Sequence, residues 1–111
     1  MRFSRWYPLA EAAAHAPAGE GVLQLRQATG LIEYPRGKSA MVHYEHAADV
    51  RALATVLAAA HAGEDLWCRH LEIEEGEAVD AAAFHAKVRE EFVRRFGSPP
   101  AFPCISSKPK L

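Results

Sequence analysis

Residues 21–63, GVLQLRQATGLIEYPRGKSAMVHYEHAADVRALATVLAAAHAG, decide the fold. Val22, Leu23 and Leu25 alternate in part with Gln24 and Arg26, the period of two expected of a strand, and Ala28-Thr29-Gly30 supplies a turn. Residues 31–34 read as a second strand, stopped at Pro35 because proline has no N–H to give to a ladder. Arg36-Gly37-Lys38-Ser39 makes a basic turn, and residues 40–44 continue extended, completing a small antiparallel meander. From about Ala48 the period changes to 3.6, with Val50, Leu53, Ala54, Leu57, Ala60 and His61 on one helical face. Asp49 suits the positive N-terminal end of that helix, and Gly63 suits its stop.

Outward from this stretch, residues 66–73 alternate again, which predicts another strand. Trp67, Leu71 and Ile73 are expected on its core side, and Cys68, His70 and Glu72 on a wetter side. After the acidic turn Glu74-Glu75-Gly76-Glu77, a long helix is predicted over about 78–96. Phe84, Val88, Phe92 and Phe96 would form its buried stripe, and Lys87, Glu90, Glu91 and Arg94 its wet face. Before the central stretch lie the aromatics Phe3, Trp6 and Tyr7, then a short helix over about 8–16 ended by Pro17 and Gly19. The predicted class is α+β: a small antiparallel sheet of three to four strands, two main helices and a short N-terminal helix. One domain spans 1–98, and a Pro/Ser-rich, extended tail spans 99–111.

The composition bounds the function. A chain of 111 residues that is 50% hydrophobic has the size of one domain with one core. Thirteen Lys and Arg against fourteen Asp and Glu give a formal charge of −1. That excludes an overall electrostatic drive toward nucleic acid or anionic membrane and leaves room only for a local patch. The two cysteines form no CxxC pair and read as reduced thiols. The N-terminal residues lack a signal-like apolar core, and no run approaches the roughly 20 apolar residues of a membrane span. A cytoplasmic protein without membrane contact is the expectation.

Chemistry-bearing motifs are sparse. Gly37-Lys38-Ser39 would end a phosphate loop, but Ile32 stands where that motif needs its first glycine, and the following residues read as a strand rather than a helix. The acidic run Glu72, Glu74, Glu75 and Glu77 reads as a solvated turn rather than a cation site. His43 and His46 fall on opposite strand faces, whereas Cys68 and His70 share one, so a soft site of Cys68, His70 and one other histidine is chemically open there. It lacks four-ligand spacing. Ser39, Ser106 and Ser107 lack a nucleophile-elbow context.

Pro17, then Gly21-Val22-Leu23 opening a strand, Tyr34 ending another, and Asp49-Val50-Arg51 opening a helix follow one another in an order that resembles the GIY-YIG nuclease domain. Leu23 and Tyr34 have ten residues between them, which suits the two signature triads. FVRRFGSPPAFP, residues 92–103, is similar to the family's closing helix. The resemblance implies a tyrosine in the first triad that helps activate water, a helix-borne arginine for the phosphate and a later glutamate for a divalent metal. Here Leu23 takes the tyrosine position and Pro35-Arg36-Gly37 departs from the second triad. The arginine position falls at Leu53 with Arg51 nearby, and the glutamate position falls within Ala81-Ala82-Ala83. Charge stabilisation and metal binding of the kind phosphodiester hydrolysis needs are thus unfilled.

The resulting expectation is a non-catalytic domain that binds DNA or RNA. Arg36, Lys38 and Arg51 would meet phosphates, and Tyr34 or Tyr44 would stack on a base. The basic turn is expected beside the start of the first main helix. No catalytic residue, metal or cofactor is assigned. The alternatives are a protein-interaction or homodimerising domain, and a residual metal-dependent nuclease using Tyr34 or Tyr44, Arg51 and an acid from residues 72–77.

Overall fold

The computed structural model describes residues 1–105. The fold is α+β, with three helices and a mostly antiparallel sheet. Its strands are β1 (Arg2–Phe3), β2 (Tyr7–Pro8), β3 (Gly21–Gln27), β4 (Ile32–Tyr34), β5 (Gly37–Ser39), β6 (Met41–Ala47) and β7 (Leu66–Glu72). Its helices are α1 (Ala12–His15), entered through a 3-10 turn at Leu9–Glu11, α2 (Val50–Ala60) and α3 (Ala81–Phe96). The main sheet runs β1-β7-β3-β6, with β2 also paired to β7.

β3 is the central strand, and Gly21 through Leu25 are all buried, Gln24 being the one polar side chain among them. It pairs with β6 from Gly21↔Ala47 to Leu25↔His43 and with β7 from Leu23↔His70 to Gln27↔Leu66. The register with β6 shifts between Leu25 and Arg26, so Val42 is left as an extra residue, the signature of a bulge. Residues 31–34 do not join this sheet. They fold back on β5 as a separate hairpin, Tyr34↔Gly37, with Pro35 and Arg36 at its tip. The meander expected from the sequence is therefore an excursion between two sheet neighbours, since Pro35 and the short runs around it cannot sustain a ladder.

Helices cover both faces. On one, α1 and α2 pack Ala12, Ala16, Leu53, Ala54 and Leu57 over Leu23, Leu25 and Cys68. On the other, Phe84 and Ala81 of α3 meet Phe3, Val22 and Leu71. Asp49 and Asp80 cap α2 and α3, accepting from Ala52 N and Ala83 N at 3.1 and 3.0 Å, which starts α3 later than its acidic approach suggested. Double coverage buries both sides of β7. Leu71 is in the core as expected, but so are Cys68 and His70 on the side expected to be wetter, while Trp67 is only half-buried and Ile73 is exposed.

β6 is an edge strand, and the C-terminal segment closes it. Phe102 N donates to Val42 O at 2.9 Å, and the Phe102 ring stacks on His61 at 4.4 Å. The described part of the tail is thus packed rather than loose. Ser106, Ser107 and the rest of the tail lie outside the described residues.

Candidate nucleic-acid interface

The five residues expected to meet nucleic acid do not form one surface. Val50 N donates to Gly19 O and Arg51 Nε to Ala16 O, so α2 begins at the Gly21 end of β3. Gln27 N donates to Ala40 O, so the β4–β5 hairpin departs from the opposite end. A seven-residue strand separates the two by about 20 Å. Arg51 therefore cannot share a phosphate with Arg36 or Lys38, and the expectation that the basic turn sits beside the start of α2 is not met.

Of the two tyrosines, Tyr44 is buried and Tyr34 half-buried. The Tyr34 hydroxyl donates to Met41 O at 2.7 Å and accepts from Ala101 N at 3.2 Å, and its ring sits edge-on to Phe92 at 5.0 Å. Burial raises its pKa against the opposing Ala101 hydrogen bond. Tyr44 is 8% exposed and packs edge-on to Phe92 at 5.7 Å. Burial raises its pKa as well. The Tyr44 ring is thus closed to a base, while Tyr34 is half-buried and lines a shallow groove with Glu33, Gly37 and Lys38. Nothing local to Tyr44 signals that Phe92 of α3 covers its side of the sheet.

The cations of the turn are placed by α3. Arg36 N donates to Phe96 O at 3.0 Å and Arg36 Nη1 to Arg94 O at 2.9 Å, covering carbonyls at the helix C-terminus. Gly97 closes the helix at φ 84°, and a Cβ there would lie 3.0 Å from Pro35. The electronegative end of α3 is thereby sheathed in charge, because Arg94 and Arg95 occupy the same last turn. Lys38 Nζ lies 3.6 Å from Glu33 across the hairpin and Arg94 3.7 Å from Glu91, both exposed pairs of small energetic weight.

A second cationic group escaped the sequence reading. On the α3 face of the sheet, the guanidinium groups of Arg26 and Arg69 lie 4.8 and 4.4 Å from the Trp6 ring centroid, and Arg69 lies 4.4 Å from that of Phe3. Arg69 Nε donates to the buried Gln24 at 2.7 Å. Burial lowers the Arg69 pKa, with Tyr44 opposing and Arg26 adding to the shift. Among the described residues no carboxylate pairs with either arginine, and Arg26 Nε is buried without a hydrogen-bond partner. The available signal was the cross-strand geometry, in which Gln24 sits opposite Arg69 and Arg26 opposite Trp67, setting both arginines on one face.

Two further polar groupings lie on the opposite face. His43 and Glu45, adjacent on that side of β6, meet at 2.7 Å while 0 and 1% exposed. The Tyr7 hydroxyl lies 2.8 Å from His70 Nδ1, beside a cleft of about 300 Å3 lined by Ser4, Arg5, His15 and Glu72. Burial holds the His70 pKa down, against the pull of Glu72. Tyr34 and Arg51, two of the residues named for a residual nuclease, do not meet. Tyr34 belongs to the hairpin end, Arg51 to the opposite end, and Glu77 binds the N-terminal amine.

No helix among the described residues is long and apolar enough to cross a membrane. Searches of protein-family models, curated proteins and solved structures find no match to this chain.

Proposed function

We propose that this domain binds nucleic acid without catalysing its hydrolysis, through the cationic half of its α3 side. The observation that carries the reading is the pair Arg26 and Arg69, both against the Trp6 ring, with no acidic partner among the described residues and a buried guanidinium nitrogen left unsatisfied. An arginine pair held against an indole offers an anion two planar donor groups and a base a stacking surface. Arg36, Lys38, Arg94 and Arg95 extend the positive charge along the hairpin and the end of α3. Arg36 and Lys38 keep the role expected of them, whereas Trp6 takes the place of Tyr34 and Tyr44, and Arg51 falls outside the surface.

The non-catalytic half of the reading rests on what fills the positions where the GIY-YIG resemblance would put chemistry. Leu23, at the first tyrosine position, is fully buried, and Ala81 of the Ala81-Ala82-Ala83 run is packed in the α3 core. Neither can activate water or hold a cation.

Fluorescence anisotropy with labelled single-stranded and duplex oligonucleotides at low salt tests the proposal. Binding is expected, weakening as salt rises, with log K falling by about 0.7 to 0.9 per phosphate contact for each tenfold rise in salt. The double variant Arg36→Ala with Lys38→Ala should lower that slope by roughly 1.5, and Arg69→Gln should weaken binding at every salt concentration. Absence of binding by the wild-type chain at low salt, or unchanged affinity in both variants, would remove the reading.

A further inference from the structure

We propose that His43, Glu45 and Cys104 form a binding site for one divalent transition-metal ion of the zinc class. The Nε2 or Nδ1 of His43, a Glu45 carboxylate oxygen and Cys104 Sγ all lie within 4.8 Å of one another, with His43 and Glu45 essentially inaccessible to solvent. Nitrogen, oxygen and sulfur donors in one pocket are the mixture such an ion takes, and a carboxylate with a thiolate offsets its two charges.

The hydrogen bonding of His43 favours this. Nδ1 faces Phe102 O at 3.3 Å and Nε2 faces Glu45 Oε1 at 2.7 Å, so both ring nitrogens look at acceptors. A neutral imidazole has one N–H for these two acceptors and leaves a lone pair opposed to an oxygen. An imidazolium resolves the conflict, and so does a cation bound at Nε2 and Oε1. In the second case Nδ1–H donates to a backbone carbonyl, the outer contact that orients metal-bound histidines. A tetrahedral ion would hold nitrogen and oxygen about 3.3 Å apart and sulfur about 3.6 Å from each, so the His43–Glu45 pair would open by about half an ångström and Cys104 Sγ would close by up to about 1 Å.

Cys104 Sγ donates to Tyr44 O at 3.3 Å, a bond that the ion would replace; Arg89 Nη1 lies 3.5 Å from Sγ, a cation beside the sulfur once its proton is lost, and Ile105 N donates to Glu45 Oε1 at 3.0 Å. Binding releases the thiol proton and the proton held between Nε2 and Oε1 to solvent. The ion would pin the segment 102–105 against β6 and close the exposed sheet edge, with a fourth coordination position left for water or another ligand.

The full-length chain, stripped with chelator and titrated with Co2+, tests the site. About one equivalent should bind with the near-ultraviolet charge-transfer absorption of a cobalt–thiolate bond, and Zn2+ should displace it. Cys104→Ser, a change on the partly exposed terminal segment, should abolish that absorption while circular dichroism stays native. Cys68 remains in this variant and so serves as the internal control. Zn2+ should also protect Cys104 from alkylation in the wild-type chain. Failure of the wild-type chain to take up Co2+ or Zn2+, or persistence of the absorption in Cys104→Ser, would overturn the assignment.

Discussion

At the scale of single residues, burial decides which chemical groups are available. Cys68 is fully buried beside Tyr7, and burial pushes its thiol from 9.0 up to about 12, against the hydrogen bond from Tyr7. In metal-free protein near pH 8 a thiol reagent should modify Cys104 quickly and Cys68 only as fast as the protein opens; equal rates in the folded state would contradict this burial. The linkage has a definite sign: the unfolded thiol ionises from about pH 9 while the folded one keeps its proton, so unfolding releases a proton. Stability should therefore fall as pH rises from 9 toward 12, and less so in Cys68→Ala measured against its own neutral-pH value. Individual side chains were the least legible part of the sequence. Alternation placed Cys68 and His70 on one face correctly, but named that face wet, because a strand pattern does not reveal that a second layer lies on the other side. Tyr34 and Tyr44 were chosen as aromatic residues near a basic turn, and their partners Phe92 and Ala101 lie more than forty positions away in the chain.

At the scale of elements, local signals carried most of the reading. The 3.6 period of α2, the Phe84-Val88-Phe92-Phe96 stripe of α3 and the strand residues of β3 and β7 are local properties, and each produced the element expected. The β4–β5 hairpin was misplaced because pairing partners depend on the sheet's order, which periodicity does not contain. Gly21 shows how closely two of these elements meet: a Cβ there would stand 2.9 Å from Val50 Cγ2, at the first turn of α2. Gly21→Ala should cost about 1–3 kcal/mol in chemical denaturation, through displacement of the helix start from β3. The same substitution at Gly30, where a Cβ meets nothing within 4 Å, differs in cause, since its φ of 79° makes any cost one of backbone strain. A Gly21→Ala variant as stable as wild type would show that α2 does not press on the sheet as described.

For the whole molecule, the long axis of β3 separates two ends with different equipment. One carries Arg51, Pro17 and Gly19 around the start of α2. The other carries the β4–β5 hairpin, the end of α3 and, on the same α3 side, Trp6 in contact with Arg26 and Arg69. A sequence with a net charge of −1 gives no hint of this, because segregation of charge arises only when strands distant in the chain are laid side by side. The most direct test maps which end a nucleic acid touches, by following backbone amide and indole N–H resonances while a short oligonucleotide is added at low salt. The account predicts shifts at the Trp6 indole, Arg26, Arg69, residues 36–38 and residues 94–96, with residues 49–52 unmoved. Shifts confined to residues 17–21 and 49–52, with Trp6 unchanged, would contradict it.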